Sequence, residues 1–164
     1  MSQSDFKIRR QEPKDAEALH AVYSQPKVIA GTTMLPYPAL HQWEKAVDEP
    51  KGMTRLVVCV DDAVVGNIAL TLAPSARRRH SATVAMAVHD DWQGQGLGYG
   101  LLSEALQIAD NWMDLRRIEL EVFTDNDRGV RLYERCGFEV EGTFRNYAYR
   151  NGQYADVYAM ARLR

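Results

Sequence analysis

The segment TVAMAVHDDWQGQGLGYGLLSEALQIADNW, residues 83–112, contains three patterns in succession. Val84, Met86 and Val88 alternate with small alanines, which is typical of a β-strand. A polar turn and four glycines follow. Beyond them, apolar residues recur at helical spacing on one predicted face: Leu101, Leu102, Ala105, Leu106, Ile108, Ala109, Trp112 and Met113. The segment therefore predicts a strand, a glycine-rich loop and an amphipathic helix.

The four glycines stand at alternate positions, 94, 96, 98 and 100. Glycine permits positive φ and lets another group approach the backbone closely. The start of a helix adds N–H groups that have no partner within the helix, together with the positive end of the helix dipole. A tight strand-to-helix connection would need one small residue rather than four. The pattern therefore favours a backbone cradle for a phosphate or pyrophosphate.

Two common phosphate-binding loops do not fit this spacing. The dinucleotide fingerprint G-x-G-x-x-G would require glycine at position 99 or 101, where the chain has Tyr99 and Leu101. A P-loop requires Gly-Lys followed by Ser or Thr, and the sequence contains no such triplet. A Rossmann-type nucleotide binder is therefore disfavoured.

Two motifs carry a resemblance to a known family. Gln93-x-x-Gly96-x-Gly98, directly after a strand, resembles the acetyl-CoA-binding signature Gln/Arg-x-x-Gly-x-Gly/Ala of the GCN5-related N-acetyltransferases. Residues 126–138, NDRGVRLYERCGF, are similar to the family's N-x-x-A-x-x-L-Y-x-x-x-G-F, with Gly129 where alanine is usual. The resemblance implies an acetyl-CoA-dependent N-acetyltransferase.

The order of predicted elements is β-α-α-β-β-β-α-β-α-β-β, the order of that family. It corresponds to an α/β (α+β) fold with a mixed, mostly antiparallel sheet of about seven strands and helices on both faces. We expect one acetyltransferase domain over residues 1–164. Further strands are predicted at residues 6–10, 56–60, 64–72, 117–123 and 138–143, with a hairpin at Asn151-Gly152. Helices are predicted from Pro13 and over residues 41–47 and 127–136, and residues 24–40 read as a loop broken by prolines.

Composition indicates the cellular compartment and the kinds of partner that the protein has. A formal net charge of −2 and a pI near 6.1 predict neither a nucleic-acid nor a membrane partner. The first 15 residues are polar and lack the apolar core of a signal peptide. Cys59 and Cys136 are isolated, which is typical of reduced thiols in a cytoplasmic protein rather than of a disulfide or a metal site. We therefore expect a cytoplasmic enzyme that uses no metal.

The resemblance also implies roles for individual residues. The backbone N–H of Val88 would face the thioester oxygen, and the hydroxyl of Tyr133 would protonate the departing thiolate. Asn126 would bind the pantetheine chain, or serve only as a helix N-cap. The residues implied to bind acetyl-CoA are Met86, Ala87, Val88, Gln93, Gly94, Gln95, Gly96, Leu97, Gly98, Tyr99, Gly100, Asn126, Gly129 and Tyr133.

The general base stays open among Glu119, Glu121, His80, His89 and a water chain. The expected acceptor is a primary amine of a small molecule such as an amino acid, in a pocket formed by the loop at 24–40 and the final hairpin. A protein N-terminus is an alternative acceptor, and a non-catalytic acyl-CoA sensor is an alternative function. Family members often pair, and the tyrosine-rich hairpin suggests a homodimer.

Overall fold

The computed structural model describes residues 5–45 and 50–164. Within these residues the chain forms seven strands: β1 Phe6–Arg10, β2 Met53–Val60, β3 Ala63–Leu72, β4 Ser81–Val88, β5 Arg117–Phe123, β6 Glu139–Arg150 and β7 Gln153–Leu163. The same part of the chain forms five helices: α1 Ala16–Tyr23, α2 Pro26–Ala30, α3 Leu40–Lys45, α4 Leu97–Asn111 and α5 Asp127–Arg135. Short 3₁₀ turns at Pro13–Asp15, Ala76–Arg78 and Asp90–Trp92 connect some of these elements.

The strands form one mixed sheet in the order β1-β2-β3-β4-β5-β7-β6. β4 and β5 are parallel, and the other neighbouring strands are antiparallel. Asn151 and Gly152 connect β6 to β7 with φ of 49° and 78°, the positive values that a two-residue hairpin requires. The predicted mixed, mostly antiparallel sheet is confirmed, and the parallel sheet of a Rossmann fold is not what forms.

Helices cover both faces of the sheet. On one face the apolar stripe of α4, including Leu101 and Leu102, packs against buried residues of the central strands such as Ile68 and Ile118. On the other face Leu19 of α1 packs with Val57 and Cys59 of β2. Burial of a leucine or isoleucine side chain contributes about 1.5–3 kcal/mol, so both helical layers stabilise the sheet.

Three predicted boundaries differ from the structure. Pro26 does not interrupt a loop but begins α2, because proline is compatible with the first turn of a helix. The helix expected over residues 41–47 runs from Leu40 to Lys45, and Val47 lies outside the described residues. Trp112 was expected on the buried face of α4, but the helix ends at Asn111 and the Trp112 side chain is 85% exposed.

Candidate functional site

A cleft opens where β4 and β5 diverge. Their parallel register covers three pairs, Ser81↔Arg117, Ala82↔Ile118 and Thr83↔Glu119. From Val84 to Val88, β4 keeps its pairing with β3. The gap that opens on the other side of β4 is bounded by the second half of β5. The sheet therefore exposes backbone hydrogen-bonding groups at its centre, where strands are otherwise paired.

The register of β3 and β4 decides which β4 groups face this cleft. At one end of the β3–β4 pairing Ala73 N donates to Ser81 O at 3.0 Å, and at the other end His89 N donates to Val65 O at 2.8 Å. Backbone groups alternate in direction along a strand, so odd-numbered residues bond to β3 and even-numbered residues point toward β5. The N–H groups of Met86 and Val88 consequently point into the cleft.

The glycine loop forms the floor at the carboxyl end of β4. Gly94 and Gly96 have φ of 76° and 87°, conformations that favour glycine over any residue with a Cβ. Gly96 is also the N-cap of α4. A Cβ at Gly98 would lie 3.3 Å from both Met86 and Leu132, so this glycine allows α4 to pack closely beside the cleft. The loop thus presents free helix N–H groups in a space that an anion can approach.

The Gln93 side chain links this loop to the end of β4. Its Nε2 donates to the Val88 carbonyl oxygen at 3.0 Å and to Oδ1 of Asp90 at 3.4 Å. The hydrogen bond to Val88 fixes the peptide plane that follows β4. Gln93 therefore orients the backbone beside the N–H of Val88 as well as opening the glycine loop.

Two adjoining cavities occupy the cleft. The first, of about 450 Å³, lies between the end of β4, the glycine loop and α5. The second, of about 670 Å³, lies between the diverging strands and is closed by β6. The residues that line both cavities are Gly31, Thr32, Met86, Asn126 and Tyr133. A molecule in the first cavity can therefore meet a molecule in the second beside Tyr133.

Tyr133 lies at this junction with its ring held in place. The ring packs edge-on against Phe138, with 5.9 Å between the centroids. Burial raises the pKa of the Tyr133 hydroxyl to about 12. Among residues 5–45 and 50–164, no protein group hydrogen-bonds to this hydroxyl. The phenol is therefore protonated at neutral pH, and its proton is available to a group in the cleft.

Asn126 and Gly129 form the first turn of α5 next to Tyr133. The Oδ1 atom of Asn126 accepts a hydrogen bond of 2.9 Å from Gly129 N, so Asn126 is an N-cap as predicted. A Cβ at Gly129 would lie 2.6 Å from Nδ2 of Asn126. Glycine at this position therefore lets the Asn126 side chain lie flat over the helix end, and its NH₂ group remains to bind a ligand.

The chain resembles known proteins over nearly its whole length. A family model described as the acetyltransferase (GNAT) family matches residues 16–138. The chain belongs to this family. The L-amino acid N-acetyltransferase AaaT of Escherichia coli K12 is 38% identical over 161 residues, which cover 98% of this chain and 99% of AaaT. This is the family that the two sequence motifs indicated.

Solved structures agree with this assignment. A GNAT-family acetyltransferase from Streptococcus pneumoniae has a TM-score of 0.84 at 28% identity, and the match covers 98% of this chain and 100% of the Streptococcus chain. A spermidine N-acetyltransferase from Vibrio cholerae, in complex with CoA and spermine, has a TM-score of 0.83 at 25% identity. This match covers 98% of our chain and 96% of the Vibrio chain.

Some residues of the glycine loop lie outside the cleft of this acetyltransferase. The side chain of Leu97 is 1% exposed and belongs to the core, and the side chain of Gln95 donates to the Asp91 carbonyl at 3.1 Å. A Cβ at Gly100 would lie 2.6 Å from Cε2 of Phe6. Gly100 is therefore small because β1 packs against it, and this glycine does not line the first cavity as the sequence suggested.

Basic residues that sequence analysis missed line the first cavity. Arg128, Arg131 and Arg135 are spaced i, i+3, i+7 on α5, so they share the helix face that borders the glycine loop. The guanidinium of Arg128 lies 3.5 Å from the Cβ position of Gly94, and that of Arg135 lies 4.9 Å from the ring centroid of Tyr99. The helical spacing of these arginines could have identified them. Together with Lys27 they make this cavity suitable for phosphate groups.

The four candidate bases lie in different surroundings. Glu119 and Glu121 line the second cavity. The Glu119 carboxylate accepts hydrogen bonds from Arg78 and, at 2.5 Å, from Nε of Arg117. Glu121 accepts a hydrogen bond from Tyr147, which raises the pKa of that tyrosine. Neither cavity is lined by His80 or His89, and Nδ1 of His89 accepts from Asp91 N at 3.2 Å as a turn cap.

Both segments predicted to form the acceptor pocket contribute residues to the second cavity. Thr32 and Thr33 from the segment after α2, and Phe144 and Tyr147 from β6, line it. The structure adds the face of β5 that carries the two glutamates. Among the described helices, none is long and apolar enough to cross a membrane. The described residues also contain no cluster of three His, Cys, Asp or Glu side chains suited to a metal ion.

Proposed function

We propose that this N-acetyltransferase moves the acetyl group of acetyl-CoA to the primary amine of a small molecule by direct attack in a ternary complex. The observation that carries the proposal is the meeting of the two cavities at Tyr133, Asn126 and Met86. The first cavity is lined by basic side chains, and the second is lined by three glutamates and one arginine. A donor and an acceptor can occupy them together, with the reacting atoms in contact.

The first cavity is proposed to hold the donor. N–H groups of residues 94–99 would bind the pyrophosphate at the start of α4, supported by Gln93 and the arginines of α5. The backbone of Met86, Ala87 and Val88 would pair with the pantetheine arm, because that edge of β4 faces the cleft. Asn126 would donate its NH₂ group to a pantetheine carbonyl, and Gly129 keeps the space for it.

Two groups would assist the transfer step, the N–H of Val88 in the first cavity and the hydroxyl of Tyr133 at the junction. The acceptor nitrogen forms a bond to the thioester carbon while the N–H of Val88 donates to the carbonyl oxygen. Such a donor contributes a few kcal/mol as charge develops on that oxygen. The carbon–sulfur bond then breaks, and the Tyr133 hydroxyl gives its proton to the sulfur. The proton lost by the acceptor nitrogen leaves through Glu121, Glu119 or water in the second cavity.

The similarity to AaaT supports an amino acid as the acceptor. A second candidate is a polyamine-like cation. Three carboxylates (Glu119, Glu121 and Glu141) and one guanidinium (Arg117) line the second cavity, so it attracts positive charge. A spermidine N-acetyltransferase is among the similar structures. A polyamine would extend along the glutamates, whereas the Arg117 guanidinium is already bonded to Glu119 and Glu141.

The decisive experiment measures thiol release from acetyl-CoA with a panel of amino acids, polyamines, amino sugars and short peptides. Turnover with an amino acid or a polyamine supports the proposal and separates the two acceptors. Turnover with peptides alone would favour a protein N-terminus. Binding of acetyl-CoA without turnover on any acceptor would favour the sensor alternative.

Tyr133→Phe tests the catalytic role directly. Removing the proton donor should lower kcat by about 10²–10³-fold and leave acetyl-CoA affinity unchanged. Tyr158→Phe is the matched control, because Tyr158 lines neither cavity and is not among the exposed residues of the hairpin. Equal activity of Tyr133→Phe and wild type would remove Tyr133 from the mechanism.

The proposal extends to the domain, the compartment and the oligomeric state of the enzyme. We infer a single acetyltransferase domain over residues 1–164 that works in the cytoplasm without a metal, in keeping with its isolated cysteines. A homodimer is proposed through the hairpin of β6 and β7, where Phe144, Tyr147, Tyr149 and Tyr154 are exposed by 42–66%. Sedimentation that gives only 18.6 kDa at micromolar concentration would exclude the dimer.

A further inference from the structure

The short helix α2 lies beside the cleft and is anchored from outside at both ends. It has five residues, far fewer than the roughly 12–15 that an isolated helix needs in water. Near its start, Lys27 N donates to Oδ2 of Asp90 at 3.0 Å. At its end, the carbonyl oxygen of Ala30 accepts from Nη1 of Arg150 at 2.8 Å. An anion at the first turn and a cation at the last both complement the helix dipole.

The two anchors come from opposite sides of the divergence in the sheet. Asp90 follows β4 and also binds the side chain of Gln93 at the start of the glycine loop. Arg150 is the last residue of β6, in the part of the sheet beyond β5. Since β4 and β5 pair over three residues, α2 is a second connection between the two parts. It crosses the cleft between the donor side and the acceptor side.

The segment directly after α2 forms the shared wall of the two cavities. Gly31 and Thr32 line both, and Thr33 lines the second. The amides of Gly31 and Thr32 donate back to α2, to the carbonyls of Lys27 and Ile29 at 3.0 and 3.2 Å. The position of this wall therefore depends on the position of the last turn of α2, which Arg150 binds.

Arg150 is itself held firmly. Its guanidinium lies 4.3 Å from the ring centroid of Phe123, pairs with Asp125, and is 24% exposed. Phe123 ends β5, and its ring also lines the second cavity. The guanidinium thus connects β5 to α2. A planar arginine can stack on a ring and donate a hydrogen bond at the same time, which lysine cannot do.

We propose that Arg150 is a positioning residue that sets the wall at residues 31–33 of the acceptor cavity relative to Tyr133. It acts through α2 and does not touch the reacting atoms. Asp90 acts on the donor side instead, because it also accepts a hydrogen bond from Gln93. Gly31 and Thr32 border both cavities and Thr33 borders the second alone, so loss of Arg150 should weaken acceptor use more than donor use. This inference rests on the proposed acetyl transfer.

The test compares Arg150→Met with Arg150→Lys and the control Asp125→Asn. Methionine keeps a long apolar stem over Phe123 but cannot donate to Ala30. We expect the KM for the acceptor identified with wild type to rise about tenfold or more in Arg150→Met, the range for losing one charge-assisted hydrogen bond. The KM for acetyl-CoA should rise less than the acceptor KM, because the glycine loop and α5, which also line the donor cavity, make no bond to Arg150. Arg150→Lys should recover part of the loss, and Asp125→Asn should match wild type, because it keeps the bond to Ala30.

Hydrogen exchange supplies a readout that does not need turnover. The amides of Gly31 and Thr32 should exchange faster in Arg150→Met than in wild type and Asp125→Asn. If acceptor KM and these exchange rates are unchanged in Arg150→Met, or if both substrates' KM values rise together with a general loss of stability, the inference is wrong. An inactive wild type would refute the proposed function. Unchanged exchange at residues 31 and 32 would still separately refute the anchoring by Arg150.

Discussion

Replacing Gly100 by alanine separates packing from cofactor binding within the glycine loop. Gly100 lies in α4, and an added Cβ would be 2.6 and 2.7 Å from two ring carbons of Phe6 and 3.5 Å from Ile8. Real Cβ atoms do not approach so closely, so the ring or the helix has to shift. Gly100 does not line either cavity, which means that the cost should appear in stability alone.

Two opposing effects set the magnitude of the change. Alanine in a helix interior is favoured over glycine by about 1 kcal/mol. Overpacking a filled core costs about 1–3 kcal/mol, and the edge of the Phe6 ring can yield only in part. The net expectation for Gly100→Ala is a destabilisation of up to about 2 kcal/mol. For a chain of this size that corresponds to a decrease in Tm of several degrees, at about 2–4 °C per kcal/mol.

A double-mutant cycle with Phe6→Leu makes the reasoning testable. In the Phe6→Leu background the clash is relieved, and Gly100→Ala should become neutral or stabilising by up to about 1 kcal/mol. Urea unfolding gives the free energies, and calorimetric titration with CoA should show unchanged affinity for Gly100→Ala. Additive effects of the two substitutions, or a stabilised single variant, would refute the packing role of Gly100. Weaker CoA binding without a change in stability would return this glycine to the cofactor site.

Three further outcomes are expected. Because Tyr133 has a pKa of about 12, about 99% of it stays protonated at pH 10, so kcat at saturating substrates should not fall between pH 8 and 10; a halving there would indicate an ordinary tyrosine. Arg131→Gln should raise the acetyl-CoA KM several-fold at low salt and less at high salt, whereas Arg77→Gln on an exposed turn should have no effect. The bidentate hydrogen bonds from Arg162, at 2.9 and 2.7 Å, lower the pKa of Asp110 below its usual value, so the pair stabilises the fold above about pH 4 and loses this effect as the pH falls through the lowered value. Asp110→Asn should therefore cost about 1 kcal/mol at pH 7, and its difference from wild type in urea unfolding should decrease as the pH falls below about 4. A difference that stays constant as the pH falls would exclude the ion pair as its cause.

The sequence alone was sufficient for the elements whose signals are local. Alternation in β5, the helical stripe of α4 and the Asn151-Gly152 turn each depend on neighbouring residues, so each is readable without knowing the fold. The glycine spacing together with Asn126 and Tyr133 indicated the family. Local signals also explain the errors: Trp112 continues the apolar pattern of α4, but the helix ends one residue earlier and leaves the ring in solvent.

Tertiary structure decided what no local pattern records. Gly96 and Gly100 look alike in the sequence, yet one is the left-handed N-cap of α4 and the other accommodates Phe6 from a strand about 90 residues earlier. The five residues of α2 are hydrogen-bonded at both ends, to Asp90 and to Arg150, from opposite sides of the cleft. Such contacts join residues that are far apart in the chain, and their free energy depends on distances that exist only after the sheet has formed. The sequence determined the family and the motif that contains Tyr133, whereas packing between distant segments determined the wall at residues 31–33.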